Sequence, residues 1–179
     1  ELLVKEMGHT ATDRGTTVRG LSVLLDALGA AGHPVEGVVP HDGSGLDPDN
    51  RLTCGLLASI LDDQDLGSVL VDALPVAGDR GTMKKRFVGT AGEGRVRAKT
   101  GTLRGVTSLA GVVDTPGGRR LAFALISNGE LPYEIRDLHE EVVLSMLSYP
   151  SGPIVDLLSP RPPLNPSTAD SVVPETSGG

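Results

Sequence analysis

The sequence feature that most constrains the fold is a pair of apolar runs separated by a strong turn. Residues 105–113 and 120–127 are mostly apolar, and the sequence Asp-Thr-Pro-Gly-Gly lies between them at 114–118. Proline and consecutive glycines after an aspartate are typical of a chain reversal between two strands. The stretch therefore predicts a β-hairpin. Because both faces of the second run are apolar, we expect it to be a central strand covered on both sides.

Another strand is predicted directly before this hairpin. Polar and apolar side chains alternate from Arg95 to Thr100, and glycines bound the stretch on both sides. Such alternation is typical of a strand with one buried face. We expect this strand to end at the lysine, Lys99, with Gly101 following it.

Helical patterns occupy most of the remaining chain. Apolar spacing and bounding residues predict helices at 1–7, 14–29, 53–63 and 66–73, a short one at about 83–88, and a last one from about 132 to before 150. Helices combined with an antiparallel three-stranded sheet predict an α+β fold, with helices packed on the sheet.

Several residues have expected roles in these helices. The first helix is expected to close at Gly8, and the second to be capped by Thr16 or Thr17. Cys54 is interpreted as a small core residue of the third helix. The buried stripe of the last helix is expected to comprise Ile135, Leu138, Val142, Val143 and Met146.

Composition excludes several classes of function. The net charge of −7 argues against a nucleic-acid or anionic-membrane surface. Two Phe and two Tyr are too few for the stacking platforms of single-strand binders. The single cysteine excludes an internal disulfide framework and a cysteine-based zinc site. We expect neither a metal nor an organic cofactor.

The chain divides into two parts by composition. Residues 1–150 carry the helical and strand patterns, and we expect them to be part of one folded domain. Residues 151–179 are rich in proline, serine and glycine, a composition that predicts a disordered tail.

The motif Lys99-Thr100-Gly101-Thr102 carries the chemistry. An edge strand can pair with an extended peptide, and a glycine lets a ligand approach the backbone closely. Lys99 supplies a positive charge that can hold a substrate carboxylate or tune the proton of a neighbouring hydroxyl. Thr100 and Thr102 supply hydroxyls for a carboxylate, and the Thr102 N–H could stabilise an oxyanion.

Three segments together carry a resemblance to a known family. They are His-Asp-Gly-Ser-Gly-Leu-Asp-Pro-Asp-Asn-Arg at 41–51, Leu-Pro-Val-Ala-Gly-Asp-Arg-Gly-Thr at 74–82, and Arg-Ala-Lys-Thr-Gly-Thr-Leu at 97–103, followed by Ser-Leu-Ala-Gly at 108–111. In this order they resemble the low-molecular-mass class C penicillin-binding proteins. The resemblance covers about residues 1–149.

The resemblance implies a fold, an activity and a set of site residues. The fold is that of serine transpeptidases and β-lactamases, and the activity is D-Ala-D-Ala carboxypeptidase or endopeptidase. The implied partners are peptidoglycan stem peptides and β-lactam antibiotics, at a location outside the cytoplasm. The implied catalytic residues are Lys99, Thr100 and Gly101, and the implied substrate-binding residues are Thr102 and Leu103.

Two motifs of that family are missing from this chain. None of its serines has a lysine three residues later, and none has an asparagine two residues later. We therefore expect the chain to be the C-terminal half of the enzyme and to require an N-terminal half that carries the nucleophile. The chain alone is expected to be inactive.

The sequence has three other interpretations. Residues 93–100 resemble a phosphate-binding loop, but Glu93 and Ala98 replace its two glycines. Residues 42–50 resemble a calcium loop without its closing glutamate, so a turn in which Asp42 and Ser44 bind backbone amides is favoured. A catalytically inactive binding or scaffold module of the same fold stays open as an alternative.

Overall fold

The predicted hairpin is present, and it forms part of a three-stranded antiparallel sheet. The computed structural model describes residues 1–129 and 132–152. Its strands are β1 (Val96–Leu103), β2 (Val106–Asp114) and β3 (Arg120–Asn128), in the spatial order β1-β2-β3. With the helices described below they form the α+β fold that the sequence predicts.

The central strand of the described sheet is β2, not β3 as the apolar run suggested. β2 pairs with β1 on one side and with β3 on the other. Both faces of β3 are nevertheless contacted by helices, which explains its two apolar faces. A strand can be covered by helices on both faces without lying in the centre of its sheet. An apolar run indicates the coverage and does not indicate the position in the strand order.

The sheet face that packs on the last helix contains the main core. The last helix is α5 (Pro132–Met146), and its Val143 belongs to this core. The strand residues of the core on this face are Val96, Ala98, Leu109, Val113 and Phe123. We call it the α5 face. Met83 and Phe87, from the loop before β1, complete the cluster.

The opposite face of the sheet packs against a second helix. Alternation places Val112 on this side, where it is 1% exposed. Helix α3 (Cys54–Asp62) contacts β2 and β3 here, and we call this the α3 face. Helix α4 (Leu66–Ala73) follows and matches its predicted bounds.

The first two helices pack closely because glycines lie at their crossing. Helix α1 (Leu2–Thr12) continues through Gly8, which was wrongly expected to close it. A β-carbon on Gly8 would lie 2.8 Å from the Gly20 nitrogen in helix α2 (Thr17–Ala30). Gly8 thus serves the close approach of two helices, and α1 ends instead at Asp13, whose φ is 56°.

The helix caps follow the sequence closely. The Thr16 hydroxyl accepts a hydrogen bond from the Arg19 N–H at 3.3 Å, and the Thr53 hydroxyl accepts one from the Leu56 N–H at 3.1 Å. Cys54, in contrast, is exposed, so its assignment to the core was wrong. Cys54 is the first residue of α3, and the buried residue of this helix is Leu56.

Two further predictions need correction. The short helix expected at 83–88 is a 3₁₀ turn at Gly81–Met83, and the chain then adopts a left-handed conformation at Phe87 with φ of 61°. In α5, Leu138 and Val142 are 38% and 39% exposed, so they do not belong to the buried stripe. The buried positions are four residues apart: His139 and Val143 within α5, and Leu147 directly after its end. Most of the predicted tail, residues 153–179, lies outside the described residues.

Candidate functional site

The outer edge of β1 is paired over its first half only. The Ala77 N–H donates to the Val96 carbonyl at 2.9 Å, and the Ala98 N–H donates to the Pro75 carbonyl at 3.1 Å. Val76 and Arg97 form the bridge between these two bonds. The segment before β1 therefore acts as a short fourth strand along this edge.

Pro75 ends that pairing. A proline has no N–H, so it cannot return a hydrogen bond to the Ala98 carbonyl. Because backbone groups alternate along a strand, the N–H and C=O of Thr100 and Thr102 point to the same edge as those of Ala98. Within residues 1–129 and 132–152, no backbone partner occupies this second half of the edge. An unpaired stretch with outward N–H and C=O groups is a template for an extended peptide.

Lys99 lies within β1 rather than at its end. The strand continues to Leu103, because Gly101, Thr102 and Leu103 all pair with β2. The expectation that the strand ends at the lysine was therefore wrong. The Lys99 side chain is exposed, and its Nζ donates to the Thr100 carbonyl oxygen at the open edge.

Strand alternation separates the motif residues onto two faces. The side chains of Lys99 and Leu103 start on the α3 face, whereas those of Thr100 and Thr102 start on the α5 face. Thr102 and Lys99 are exposed, and Thr100 and Leu103 are half-buried. The structure thus brings the motif together along one edge, with its amine and its hydroxyls approaching that edge from opposite sides.

A neighbouring side chain of the sheet occupies the space beside Gly101. Gly101 pairs with Ser108 of β2, and a β-carbon on Gly101 would lie 2.2 Å from the Ser108 Oγ. The sequence predicted that the missing side chain of Gly101 lets a ligand approach. The atom nearest to the position of its absent β-carbon is instead the Ser108 hydroxyl oxygen of the protein itself. Ser108 is half-buried on the α3 face, the same face on which the Lys99 side chain starts, although the register partner of Lys99 is Ala110. Sequence reasoning assigned it no role because the contact depends on strand register.

Helix α5 brings a second cation to the same end of β1. Arg136 Nη2 lies 3.4 Å from the Thr102 Oγ1 and donates a long hydrogen bond to it. No sequence motif indicated this contact, since the two residues are 34 positions apart. Only the docking of α5 on the sheet creates it.

An ion pair fixes the position of α5. The Arg86 Nε donates to Glu140 Oε1, and the second carboxylate oxygen accepts from the Phe87 N–H at 3.1 Å. The Arg86 Nη2 also donates to the carbonyl oxygen of Arg136 at 3.2 Å. The loop before β1 thereby holds the backbone of the helix at Arg136 itself.

A row of polar side chains crosses the α5 face behind Thr102. Thr102 pairs with Thr107, and Thr107 pairs with Ser127. The Ser127 Oγ lies 2.9 Å from His139 Nε2, and His139 is only 4% exposed. Burial, with a smaller effect of the Arg86 charge, lowers the pKa of His139, which favours its neutral form.

The loop at 42–50 is a structural turn. The Asp42 carboxylate accepts from the Gly45 and Leu46 N–H groups at 3.0 and 3.1 Å, as predicted. Ser44, expected to bind an amide, donates its hydroxyl to Asp42 instead. The hydrogen bonds from Ser44 and Asn50 hold the pKa of Asp42 well below its usual range.

Membrane-spanning helices, metal clusters and cavities were each considered for the described residues, with the following results for residues 1–129 and 132–152. Among the helices of residues 1–129 and 132–152, none is long and apolar enough to cross a bilayer. In the same part of the chain, no group of three or more His, Cys, Asp or Glu side chains is placed to hold a metal ion. A surface cavity of about 410 Å³ lies between α3 and β3, lined in part by Ser59 and Arg120, and none of residues 99–103 lines it.

The fold is shared with solved penicillin-binding proteins. Penicillin binding protein 4 from Haemophilus influenzae, solved with a β-lactam, superposes with a TM-score of 0.68 and 24% identity over 78% of this chain and 37% of its own. A penicillin G-acylated predatory endopeptidase from Bdellovibrio bacteriovorus superposes with a TM-score of 0.62 and 19% identity, over 86% and 46%. The class of fold is therefore that of the penicillin-binding enzymes.

Sequence comparison identifies the family. Residues 1–146 match the D-Ala-D-Ala carboxypeptidase 3 (S13) family, and the chain belongs to it. A D-alanyl-D-alanine carboxypeptidase from Actinomadura sp. (strain R39) is 39% identical over 137 residues, which are 72% of this chain and 25% of that protein. The resemblance predicted from the three segments is thus confirmed. The chain spans about a quarter of the length of this relative and of the mycobacterial relatives.

Proposed function

We propose that the full-length protein is a serine-type D-Ala-D-Ala carboxypeptidase acting on peptidoglycan stem peptides, and that this chain supplies the strand edge where the substrate binds. The observation that carries the proposal is the open second half of the β1 edge, with the Lys99 amine beside it. An extended peptide can add to such an edge through backbone hydrogen bonds. The activity named for the Actinomadura relative supports the same assignment.

The proposed reaction is acyl transfer through a serine ester. A serine outside this chain attacks the carbonyl carbon of the penultimate D-alanine and passes its proton to a basic side chain. The C–N bond to the terminal D-alanine then breaks, its nitrogen takes up a proton, and D-alanine leaves. Water attacks the remaining ester, which releases the shortened peptide and restores the serine hydroxyl.

Each residue of the motif has a role in this reaction. The Thr102 N–H, which points to the open edge, stabilises the oxyanion of the tetrahedral intermediate. The Thr100 carbonyl accepts an N–H of the extended substrate, and Gly101 keeps this stretch of backbone in place. Lys99 supplies positive charge beside the reacting groups, and Leu103 lines the pocket for the substrate side chain.

The proposal extends to inhibitors, location and the related cleavage. β-Lactams acylate the same serine, as the penicillin G-acylated Bdellovibrio protein of this fold suggests. Peptidoglycan lies outside the cytoplasm, so the enzyme acts there. Endopeptidase cleavage of crosslinks is the alternative reaction, since that same structure is named an endopeptidase.

The role of Lys99 is tested in the full-length protein. We expect Lys99→Ala to lower the rate constant for acylation by a labelled penicillin by about 100-fold or more, because a preorganised charge at the reaction centre is lost. The matched control is Lys84→Ala, which removes an exposed lysine from the loop before β1. Normal acylation of the Lys99 variant, with an unchanged melting temperature, would contradict the role.

The inactive-module alternative rests on one observation, the absence of Ser-x-x-Lys from these 179 residues. We expect this chain alone not to be acylated by labelled penicillin, whereas the full-length protein is. Acylation of the isolated chain would contradict the placement of the nucleophile outside it. A coding sequence upstream of Glu1 without Ser-x-x-Lys would favour the inactive module.

A further inference from the structure

We propose that His139 is a positioning residue for the substrate edge, and that adding a proton to its imidazole slows acylation by loosening helix α5 on the sheet. The proposal rests on the proposed function, because it concerns the rate at which the serine outside this chain reacts at the open edge of β1. His139 bonds to β3, and β2 lies between β3 and that edge. The histidine therefore acts through the helix and the strands that it joins.

His139 lies at the end of the sheet that carries Thr102. Its Nε2 is 2.9 Å from the Ser127 Oγ of β3. Ser127 pairs with Thr107, and Thr107 pairs with Thr102, so the three side chains form a row across the α5 face. Three residues before His139 in the helix, Arg136 Nη2 lies 3.4 Å from the Thr102 Oγ1. These contacts hold α5 against both ends of the row.

The surroundings of the His139 ring fit a neutral imidazole. His139 is 4% exposed, and within residues 1–129 and 132–152 its Nδ1 has no hydrogen-bond partner. A neutral ring matches this environment when the Nε2–H donates to Ser127 and Nδ1 carries only a lone pair. A protonated ring has an N–H group on each nitrogen. The second N–H would be buried without an acceptor, which is unfavourable.

The charges around His139 also oppose protonation. Register and alternation place no charged side chain of β1, β2 or β3 on the α5 face, so the sheet supplies no counter-ion. The loop before β1 contributes the cation Arg86, and α5 itself contributes the cation Arg136. The nearest carboxylate along the helix is Glu140, whose two oxygens already accept hydrogen bonds from Arg86 and from the Phe87 N–H.

Protonation therefore favours a state in which the ring leaves its buried position. His139 shares the buried stripe of α5 with Val143, so the ring reaches water when the helix shifts on the sheet. Such a shift breaks the bond to Ser127 and separates Arg136 from Thr102. The end of β1 that supplies the proposed oxyanion donor then loses the support of the helix. A proton that binds better to the shifted state moves the population towards it.

The test is the pH dependence of acylation of the full-length protein by a labelled penicillin, in wild type and in His139→Gln. The glutamine amide can still donate to Ser127 and does not titrate, so both proteins should react alike at pH 8. Between pH 8 and pH 5 the wild-type rate constant should fall about fivefold or more relative to that of the variant, the low end of the usual coupling between two sites. Titrating groups outside this chain affect both proteins, and the ratio removes their contribution.

A matched control replaces an exposed histidine by the same residue. His9 lies exposed in α1, and His9→Gln should give the wild-type pH profile. Melting temperatures measured at each pH separate a loosened α5 from global unfolding.

Hydrogen exchange of the wild type provides a second measurement, which holds even if His139→Gln does not fold. Amide exchange reports local opening of a helix once the rates are corrected for their intrinsic dependence on pH. The protection of α5 should fall between pH 8 and pH 5. Helix α2, which contains no histidine, is the internal reference and should change less.

The possible outcomes are distinct. Profiles of the same shape for wild type and His139→Gln, including a variant that is slower by one constant factor, would overturn the role of His139 while the proposed function stands. Equal changes of protection in α5 and α2 would do the same. A full-length protein that penicillin acylates at no pH would overturn the proposed function and this proposal together.

Discussion

The hydroxyl oxygen of Ser108 occupies the space beside Gly101 where any other residue would place its β-carbon, 2.2 Å away. The two residues are direct neighbours in the β1–β2 ladder. The absence of a side chain at Gly101 therefore makes room for the Ser108 hydroxyl of the next strand. This role is separate from the approach of a ligand that the glycine also permits.

This relationship predicts that Gly101→Ala is harmful alone and tolerated with Ser108→Ala. The single change should lower the free energy of unfolding by about 1–3 kcal/mol, the usual cost of overpacking. Removing the Ser108 hydroxyl opens the space, since the next contact, to the Ser108 Cβ, would be 3.6 Å. Urea denaturation of the full-length single and double variants measures the effect. A double variant as unstable as the single one would contradict the contact.

Two glycines of α2 should respond in opposite directions to alanine. A β-carbon on Gly20 would lie 1.8 Å from the carbonyl oxygen of Val4, so Gly20→Ala should force α1 and α2 apart and cost more than about 2 kcal/mol. A β-carbon on Gly29 would meet only Val35 Cγ2 at 3.5 Å. Gly29→Ala should therefore stabilise the helix by about 0.5–1 kcal/mol. Thermal unfolding distinguishes them, and two changes of the same sign would be inconsistent with this helix crossing.

Glu140 should contribute more to the free energy of unfolding than an exposed glutamate does, because its carboxylate has two partly buried partners. Its carboxylate pairs with Arg86 and accepts the N–H of Phe87, which lies in a left-handed conformation. The side chains of Arg86 and Glu140 are 14% and 22% exposed, so removing one leaves a poorly solvated partner. We expect Glu140→Ala to cost about 2–4 kcal/mol.

The exposed Glu134, on the same helix, provides the control for Glu140. Glu134→Ala should change the free energy of unfolding by less than about 0.5 kcal/mol. If the two variants lost the same stability in chemical denaturation, the anchoring role of Glu140 would be wrong.

His139 should make stability depend on pH in the weakly acidic range. Burial and Arg86 lower its pKa in the folded state, whereas the unfolded state keeps the usual value of 6.5. Below pH 6.5 the histidine is therefore protonated in the unfolded state while it is still neutral in the folded state. The free energy of unfolding consequently falls as the pH falls from 6.5 towards the folded-state pKa. Above pH 6.5 both states are neutral and this contribution to the pH dependence vanishes.

The measurement for His139 compares wild type with His139→Gln, which can still hydrogen-bond Ser127. Denaturation curves from pH 8 to pH 5 include the titration of every other group, and the difference between the two proteins isolates His139. The wild type should lose more stability than the variant over this interval. Parallel curves would show that His139 does not titrate differently on folding.

Much of the local structure was predictable from sequence because it depends on neighbours in the chain. The Thr16 and Thr53 caps and the bounds of α4 follow from residues a few positions apart. So does the hairpin at 114–118, where turn chemistry is local. The motif at 99–102 was found the same way, since its residues are consecutive.

The wrong predictions concern residues whose role depends on contacts far away in the chain. Gly8 looked like a helix end but serves a crossing with Gly20, and Cys54 looked apolar by spacing but faces outward. In each case the outcome depends on which distant element packs against the residue. Periodicity reports that a face is buried without identifying what buries it.

The amino-acid sequence by itself determined the elements of this protein, its turns and caps, and the motif that indicates its family, because those properties depend on short-range sterics and hydrogen bonds. Only the tertiary structure decided that β2 is central, that Pro75 leaves the edge of β1 open at Thr100, and that Arg136 meets Thr102 there. These depend on strand order, register and helix docking. Contacts of that kind join residues far apart in the chain, and packing of the whole core selects them.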